Sequence, residues 1–161
     1  PRQHPEKLIP HMIFRALDGM TLPVYGDGNQ VRDWLHAKDH ARGLLKILQG
    51  GTPGMRYLLG SRNERTNREI IEMVCNRISE QTTTDRANLR SLMRYVADRP
   101  GHDRRYAIDP TDSERELGWS PCIGFDPGLT DTVDWYLANP EWVRHWGVDL
   151  GRQGMSGVAK G

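Results

Sequence analysis

The sequence predicts an α/β domain, because runs with helical apolar spacing alternate with short runs of strand-like alternation, and capping signals and Pro/Gly turns separate them. Ile9, Met12, Ile13, Ala16 and Leu17 recur at helical spacing, with Gly19 as the stop. Leu22-Pro-Val-Tyr25 reads as a strand ending in the turn Gly26-Asp-Gly28, and the alternation from Val31 to His36 as a second strand. Asp39 is placed to cap a helix whose apolar face is Ala41, Leu44, Leu45 and Leu48. Gly50 to Gly54 forms a loop, and Met55 to Leu59 a strand. Thr66-Asn-Arg-Glu69 has the spacing of a capping box and opens a helix through Ile70, Ile71, Val74 and Ile78. The polar stretch Ser79 to Asn88 reads as a loop or frayed end. Leu92 to Ala97 and Tyr106 to Ile108 read as short strands on either side of a basic turn. Asp109-Pro110 and Asp126-Pro127 each supply an N-cap and a first-turn proline. The first opens a helix stopped by Gly118, the second a helix carrying Leu129, Val133, Tyr136 and Leu137. Residues 1–146 read as one unit and the Gly-rich residues 147–161 as a mobile tail.

At 161 residues the chain fits one domain or one lobe of a larger protein. Its 22 basic and 21 acidic residues nearly cancel, so no global field recruits nucleic acid or a membrane surface, and anion recognition must be local. No apolar run reaches membrane-spanning length and no signal peptide is visible, so the cytoplasm is the expected location. Cys75 and Cys122 fit neither a disulfide framework nor a zinc site; Cys75, on a helix face with Ile71 and Ile78, reads as a buried inert thiol. The chain opens on Pro1 and runs at once into a helix, so it is expected to continue upstream.

The densest chemistry lies in Arg99-Pro-Gly-His-Asp-Arg-Arg-Tyr-Ala-Ile-Asp109, with three arginines and a histidine in seven residues beside the bend Pro100-Gly101. Guanidinium forks grip phosphate oxygens two at a time, so a turn that converges them suits a diphosphate; a solvated basic loop is the alternative. Arg32, beside Asp33, is either half of a surface ion pair or a phosphate ligand on a rigid strand. Asn67 lies in the first turn of the capped helix, where free amides attract anions or where it merely supports the cap. Arg32, Asn67, Arg99 and His102 together offer forks, an amide and an imidazole from three segments, the dispersed donor set of a diphosphate pocket.

Catalytic signatures are absent: no Ser-His-Asp elbow, no HExxH, no phosphate loop, and no tyrosine followed four positions later by lysine. Gly26-Asp-Gly28 lacks the third glycine of a dinucleotide loop, and a strand follows where a helix is needed. His11, His36 and His40 read as helix-face polar residues rather than ligands, so no metal site is expected.

Pro5-Glu-Lys-Leu-Ile-Pro10, Leu22-Pro-Val-Tyr-Gly-Asp-Gly28, Val31-Arg-Asp-Trp34, Asn63-Glu64, Asp98 to Asp109, Glu116-Leu-Gly-Trp119 and Thr132-Val-Asp-Trp-Tyr136 occur in an order that resembles the dTDP-glucose 4,6-dehydratase family of extended short-chain dehydrogenases. The resemblance covers about residues 3 to 142, and the Arg99 to Asp109 run is its most diagnostic part. It implies the C-terminal, substrate-binding part of an NAD(P)-binding Rossmann-fold enzyme, with the Rossmann nucleotide loop absent from this chain. By position, Glu6, Lys7, Leu8 and Pro10 border the nucleotide pocket, Pro23 and Tyr25 flank the thymine, and Arg32, Asn67, Arg99 and His102 hold the diphosphate and its ribose. The family oxidises the sugar at C4 with bound NAD, eliminates water across C5 and C6, and returns the hydride to C6. The residues for those steps belong to the family's N-terminal portion. This chain is therefore expected to hold no catalytic residue and no NAD by itself, to need that Rossmann portion as partner, and to form a homodimer as the full enzyme. Leu58 stands where the family places asparagine. Rival readings are a UDP-sugar epimerase or decarboxylase of the same superfamily, and a non-catalytic sugar-nucleotide-binding module. A nucleic-acid-binding domain built on the arginine turn is opposed by the balanced charge.

Overall fold

Ile9 to Leu17 lie within α1 (Leu8–Leu17) in the computed structural model, which describes residues 2–145. The helix buries Met12, Ile13, Phe14 and Ala16. β1 (Leu22–Tyr25) alternates as a half-buried strand should, with Leu22 and Val24 inward and Pro23 and Tyr25 outward. β2 (Val31–Asp33) is shorter than the expected Val31 to His36. Its ladder ends because Trp34 turns edge-on to Phe125, with ring centroids 6.3 Å apart, and His36 caps α2 (Ala37–Gly50). The His36 ring accepts from the Lys38 N–H at 3.2 Å.

Asp39 is therefore not the cap. It sits in the first turn of α2 with its side chain buried, accepting from the N–H groups of Cys122 at 3.1 Å and Ile123 at 2.9 Å. The Trp119 indole donates to the Asp39 carbonyl at 3.1 Å, so this one residue ties the 119–123 loop to the helix.

The capping box forms in full between β3 (Glu64–Thr66) and α3 (Asn67–Gln81). The Thr66 hydroxyl accepts from the Glu69 N–H at 3.2 Å, and the Glu69 carboxylate accepts from the Thr66 N–H at 2.7 Å. Helical spacing puts Ile70, Ile71, Val74, Cys75 and Ile78 on one buried face, and burial pushes the Cys75 thiol up to about 11. The stretch expected as a loop is mostly helical: α3 runs to Gln81, and Asp85 caps α4 (Arg86–Ser91) by accepting from the Ala87 N–H at 3.0 Å. β4 (Met93–Val96) and β5 (Arg105–Tyr106) follow. α5 (Thr111–Leu117) begins one residue later than expected, with Pro110 in the cap position, Asp109 accepting from the Thr111 N–H at 3.1 Å, and Gly118 closing it in the left-handed region. α6 (Phe125–Ala138) begins two residues earlier than expected, with Gly124 in the cap position; Pro127 still falls in the first turn, where its missing N–H is not needed. Residues 140–145 are helical, and the expected boundary at 146/147 lies outside the described residues.

β1 pairs with β4 in parallel, and β2 is central in the order β3-β2-β5, antiparallel to β3 and parallel to β5. The core lies between α1, α3 and α6, where Phe14 meets Tyr136 edge-on at 5.4 Å among Met12, Val74, Ile78 and Val133.

Two expected surfaces find no partner among the described residues. Met55 to Leu59 forms no ladder, because no strand among the described residues pairs with it. On α2 the stripe is amphipathic as read, yet Leu44, Leu45 and Leu48 are 47%, 56% and 82% exposed. The helix packs through the opposite side, where Leu59 covers Gly43. Leu48→Glu should therefore leave unfolding free energy within about 0.5 kcal/mol of wild type while reducing self-association. Denaturant titration and sedimentation check the two halves of that expectation.

Candidate functional site

Arg99-Pro100-Gly101-His102 closes as a β-turn in which the His102 N–H donates to the Arg99 carbonyl at 3.2 Å. Gly101 takes φ +68°, the left-handed value that glycine supplies at the third turn position, and proline suits the position before it. The turn sets two side chains together, with Arg99 Nη2 3.0 Å from His102 Nε2. The Arg99 guanidinium carbon also lies 5.6 Å from the centre of the Tyr25 ring, within cation–π range. Tyr25 ends β1 on the outward face that Pro23 shares.

Beneath this pair lies a polar network. Asp98 accepts from His102 Nδ1 at 2.7 Å, the Arg99 N–H at 2.8 Å and Gln30 Nε2 at 2.7 Å. Its carboxyl is held below the usual carboxylate range, chiefly by the His102 bond, against the opposing effect of burial. The approach is close enough to require Gly26, since a Cβ there would stand 2.9 Å from Asp98 Oδ2. Gln30 also reaches Asn67: its carbonyl accepts from the Asn67 N–H at 3.0 Å, and the two side-chain amides meet at 3.5 Å. Tyr25, Asn67, Arg99 and His102 are thus joined through Gln30 and Asp98.

Arg32 lies two residues beyond Gln30 in β2, opposite Arg65 and Tyr106. Its Nη1 donates to the Val31 carbonyl at 2.7 Å, and among the described residues it forms no ion pair. Asp33, the partner offered by sequence, is committed elsewhere: it accepts from the Ser61 N–H, the Ser61 hydroxyl and the Asn63 N–H.

The arginines of the basic run diverge, contrary to the expected convergence. Arg105 crosses the sheet to grip Glu64 with two bonds of 2.6 and 2.7 Å, which hold the Glu64 carboxyl below its ordinary range. Arg104 lines a depression of about 440 Å³ with Asp27, Asn29, Gln30, Asp98 and His102. Only Arg99 of the three turns to Tyr25.

Glu6, Lys7, Leu8 and Pro10 stand apart from this cluster at the start of α1. Glu6 and Lys7 pair on the surface at 3.4 Å, and Pro10 helps line an apolar cleft of about 280 Å³ with Trp34, Phe125 and Tyr136. No hydrogen bond or ion pair joins residues 6–10 to the Arg99 cluster among the described residues.

Sequence reasoning missed Gln30 and Asp98. The i, i+4 spacing of Asp98 and His102 was a usable signal; nothing local marks Gln30. The assembled groups offer donors, a cation and an aromatic face, but no activated nucleophile, and no group of three or more His, Cys, Asp or Glu that could hold a metal ion exists among the described residues.

The profile of the GDP-mannose 4,6 dehydratase family matches residues 1–132. A dTDP-glucose 4,6-dehydratase of Escherichia coli is 47% identical over 146 residues, covering 88% of this chain and 40% of that enzyme. The crystal structure of DesIV, a dTDP-glucose 4,6-dehydratase from Streptomyces venezuelae with NAD bound, superposes with a TM-score of 0.80 at 46% identity, over 88% of this chain and 42% of that one. A UDP-glucose 4-epimerase of Thermotoga maritima shares the fold, with a TM-score of 0.74 at 23% identity, over 86% of this chain and 43% of that one. The chain spans about 40% of the length of the curated relatives it matches.

Proposed function

Because the chain belongs to the GDP-mannose 4,6-dehydratase family, we propose that it is the dTDP-sugar-binding portion of a dTDP-glucose 4,6-dehydratase, an extended short-chain dehydrogenase. The observation that carries this reading is Arg99, whose guanidinium lies between an exposed tyrosine ring and a histidine and, among the described residues, has no carboxylate partner. Tyr25 and Pro23 would take the face and edge of the thymine. Arg99, His102, Asn67 and Arg32 would hold the diphosphate and ribose, and residues 6–10 would border the nucleotide from α1.

The chain's share of the reaction is to bind and orient. NAD serves the complete enzyme as recycled oxidant for conversion of dTDP-glucose to dTDP-4-keto-6-deoxyglucose. The Gly26-Asp-Gly28 turn does not have the form of its cradle: it joins β1 to β2 rather than to a helix, and a Cβ on Gly28 would meet Val24 at 2.7 Å and Arg68 at 3.0 Å. The unpaired 55–59 segment and the leucine face of α2 are consistent with docking on an N-terminal Rossmann portion. The complete enzyme would work in the cytoplasm as a homodimer. No helix among the described residues is long and apolar enough to cross a membrane.

Calorimetric titration of the chain with dTDP-glucose and UDP-glucose tests the reading. A preference for dTDP-glucose of about tenfold or more is expected, which is about 1.4 kcal/mol of discrimination. Equal or tighter UDP-glucose binding would move the chain to the epimerase branch, and binding of neither would remove the site.

A further inference from the structure

Gln30 and Asp98 touch no ligand in the reading above, yet they are the hub of the site. Gln30 is 5% exposed, and its Nε2 donates both to Asp98 Oδ2 at 2.7 Å and to the Tyr25 carbonyl at 3.1 Å. The His102 side chain is 6% exposed, with a partner at each ring nitrogen. A guanidinium can only donate, so the 3.0 Å contact from Arg99 Nη2 makes His102 Nε2 an acceptor. The ring proton is then on Nδ1, where it donates to Asp98 Oδ1. Two partners agree on one tautomer.

A diphosphate diester has the opposite requirement. Its ionised oxygens only accept, so His102 Nε2 can bond one of them only after gaining a proton. Nδ1 keeps its own proton, so the ring becomes an imidazolium. The proton comes from solvent; an N–H bond forms at Nε2, and the Arg99 contact there breaks as the guanidinium shifts to the phosphate. The Asp98 carboxylate supports the new charge from 2.7 Å. The other charged groups around the ring are Arg99 at its edge and Asp27 and Arg104 in the adjoining depression, the last two opposite in sign.

We infer that Asp98, steadied by Gln30, is the positioning residue of this site: it fixes the His102 tautomer and supports uptake of one proton at Nε2 when a nucleoside diphosphate sugar binds. The inference rests on the sugar-nucleotide reading of the site.

Two measurements on the full chain test it. Long-range ¹H–¹⁵N correlation of the free protein should find His102 as the Nδ1–H tautomer; the Nε2–H tautomer overturns the proposal. Calorimetry with dTDP-glucose near neutral pH, in two buffers of different ionisation enthalpy, should show net proton uptake on binding. This ligand is a diester, so it releases no proton of its own in that range. In Asp98→Asn the uptake should fall and affinity drop about tenfold, the scale of one pKa unit. The wild-type proton count needs no variant, so a misfolded Asp98→Asn leaves the test intact. Binding of dTDP-glucose without proton uptake overturns this proposal alone; no binding at all overturns the functional reading and this proposal with it.

Discussion

Arg99→Ala is expected to weaken dTDP-glucose binding by about 1.5–3 kcal/mol, the scale of hydrogen bonds to a charged group, or roughly 10- to 150-fold in Kd. Folding should change far less, because the group removed is exposed and its contact with the Tyr25 ring is worth about 0.5–1 kcal/mol. The informative control is Arg105→Ala in the same basic run. Arg105 is held by Glu64 through an exposed two-bond pair worth about 0–1 kcal/mol, so its loss should trim stability slightly and leave the ligand's affinity unchanged. Titration calorimetry separates the two arginines. Equal affinity for wild type and Arg99→Ala would remove Arg99 from the pocket; a matching loss in Arg105→Ala would mean that the whole run acts as a diffuse basic patch.

Asp39→Ala should cost about 2–4 kcal/mol of unfolding free energy, because it leaves the Cys122 and Ile123 N–H groups without their acceptor. Arg42 adds little to that loss, since its half-exposed side chain can return to water. Asp39→Asn keeps one acceptor oxygen and should lose about half as much. A pH dependence follows from the same contacts. Burial pushes the Asp39 carboxyl up, but the bonds from Ile123, Cys122 and Arg42 together outweigh it and hold it below the usual carboxylate range. A carboxyl lowered on folding stabilises the fold above its unfolded pKa of about 3.9, and that stabilisation disappears as pH falls through the lower folded value. Denaturant titrations in acid should show the wild type losing this increment and Asp39→Asn lacking it. Parallel stability-versus-pH curves for the two proteins would refute the assignment.

The elements legible in the sequence were those whose causes are local. α1 and α3 follow from apolar spacing, the start of α3 from a capping box closed within four residues, and the Arg99–His102 turn from Pro100-Gly101. Where local signals competed, the reading slipped by a residue or more. The sequence offered Asp39 as the cap of α2, but His36 takes the cap while Asp39 is drawn to a loop more than eighty positions away. The apolar stripe of α2 was also legible, but periodicity states that a face is apolar and not what covers it; Leu48 remains 82% exposed.

The site divides in the same way. Residue types and turn chemistry alone marked Arg32, Asn67, Arg99 and His102 as a donor set suited to an anion, and the ordered motifs pointed to the family. Only the tertiary structure separated Arg99 from Arg105, released Arg32 from Asp33, and joined Gln30 to Asp98 across 68 positions of chain. A cap or a tight turn is determined by atoms a few bonds apart, so it is written into a short run of sequence. Which carboxylate meets which guanidinium depends on how β2, α3 and the 98–105 turn pack together, and no short run of sequence contains that information.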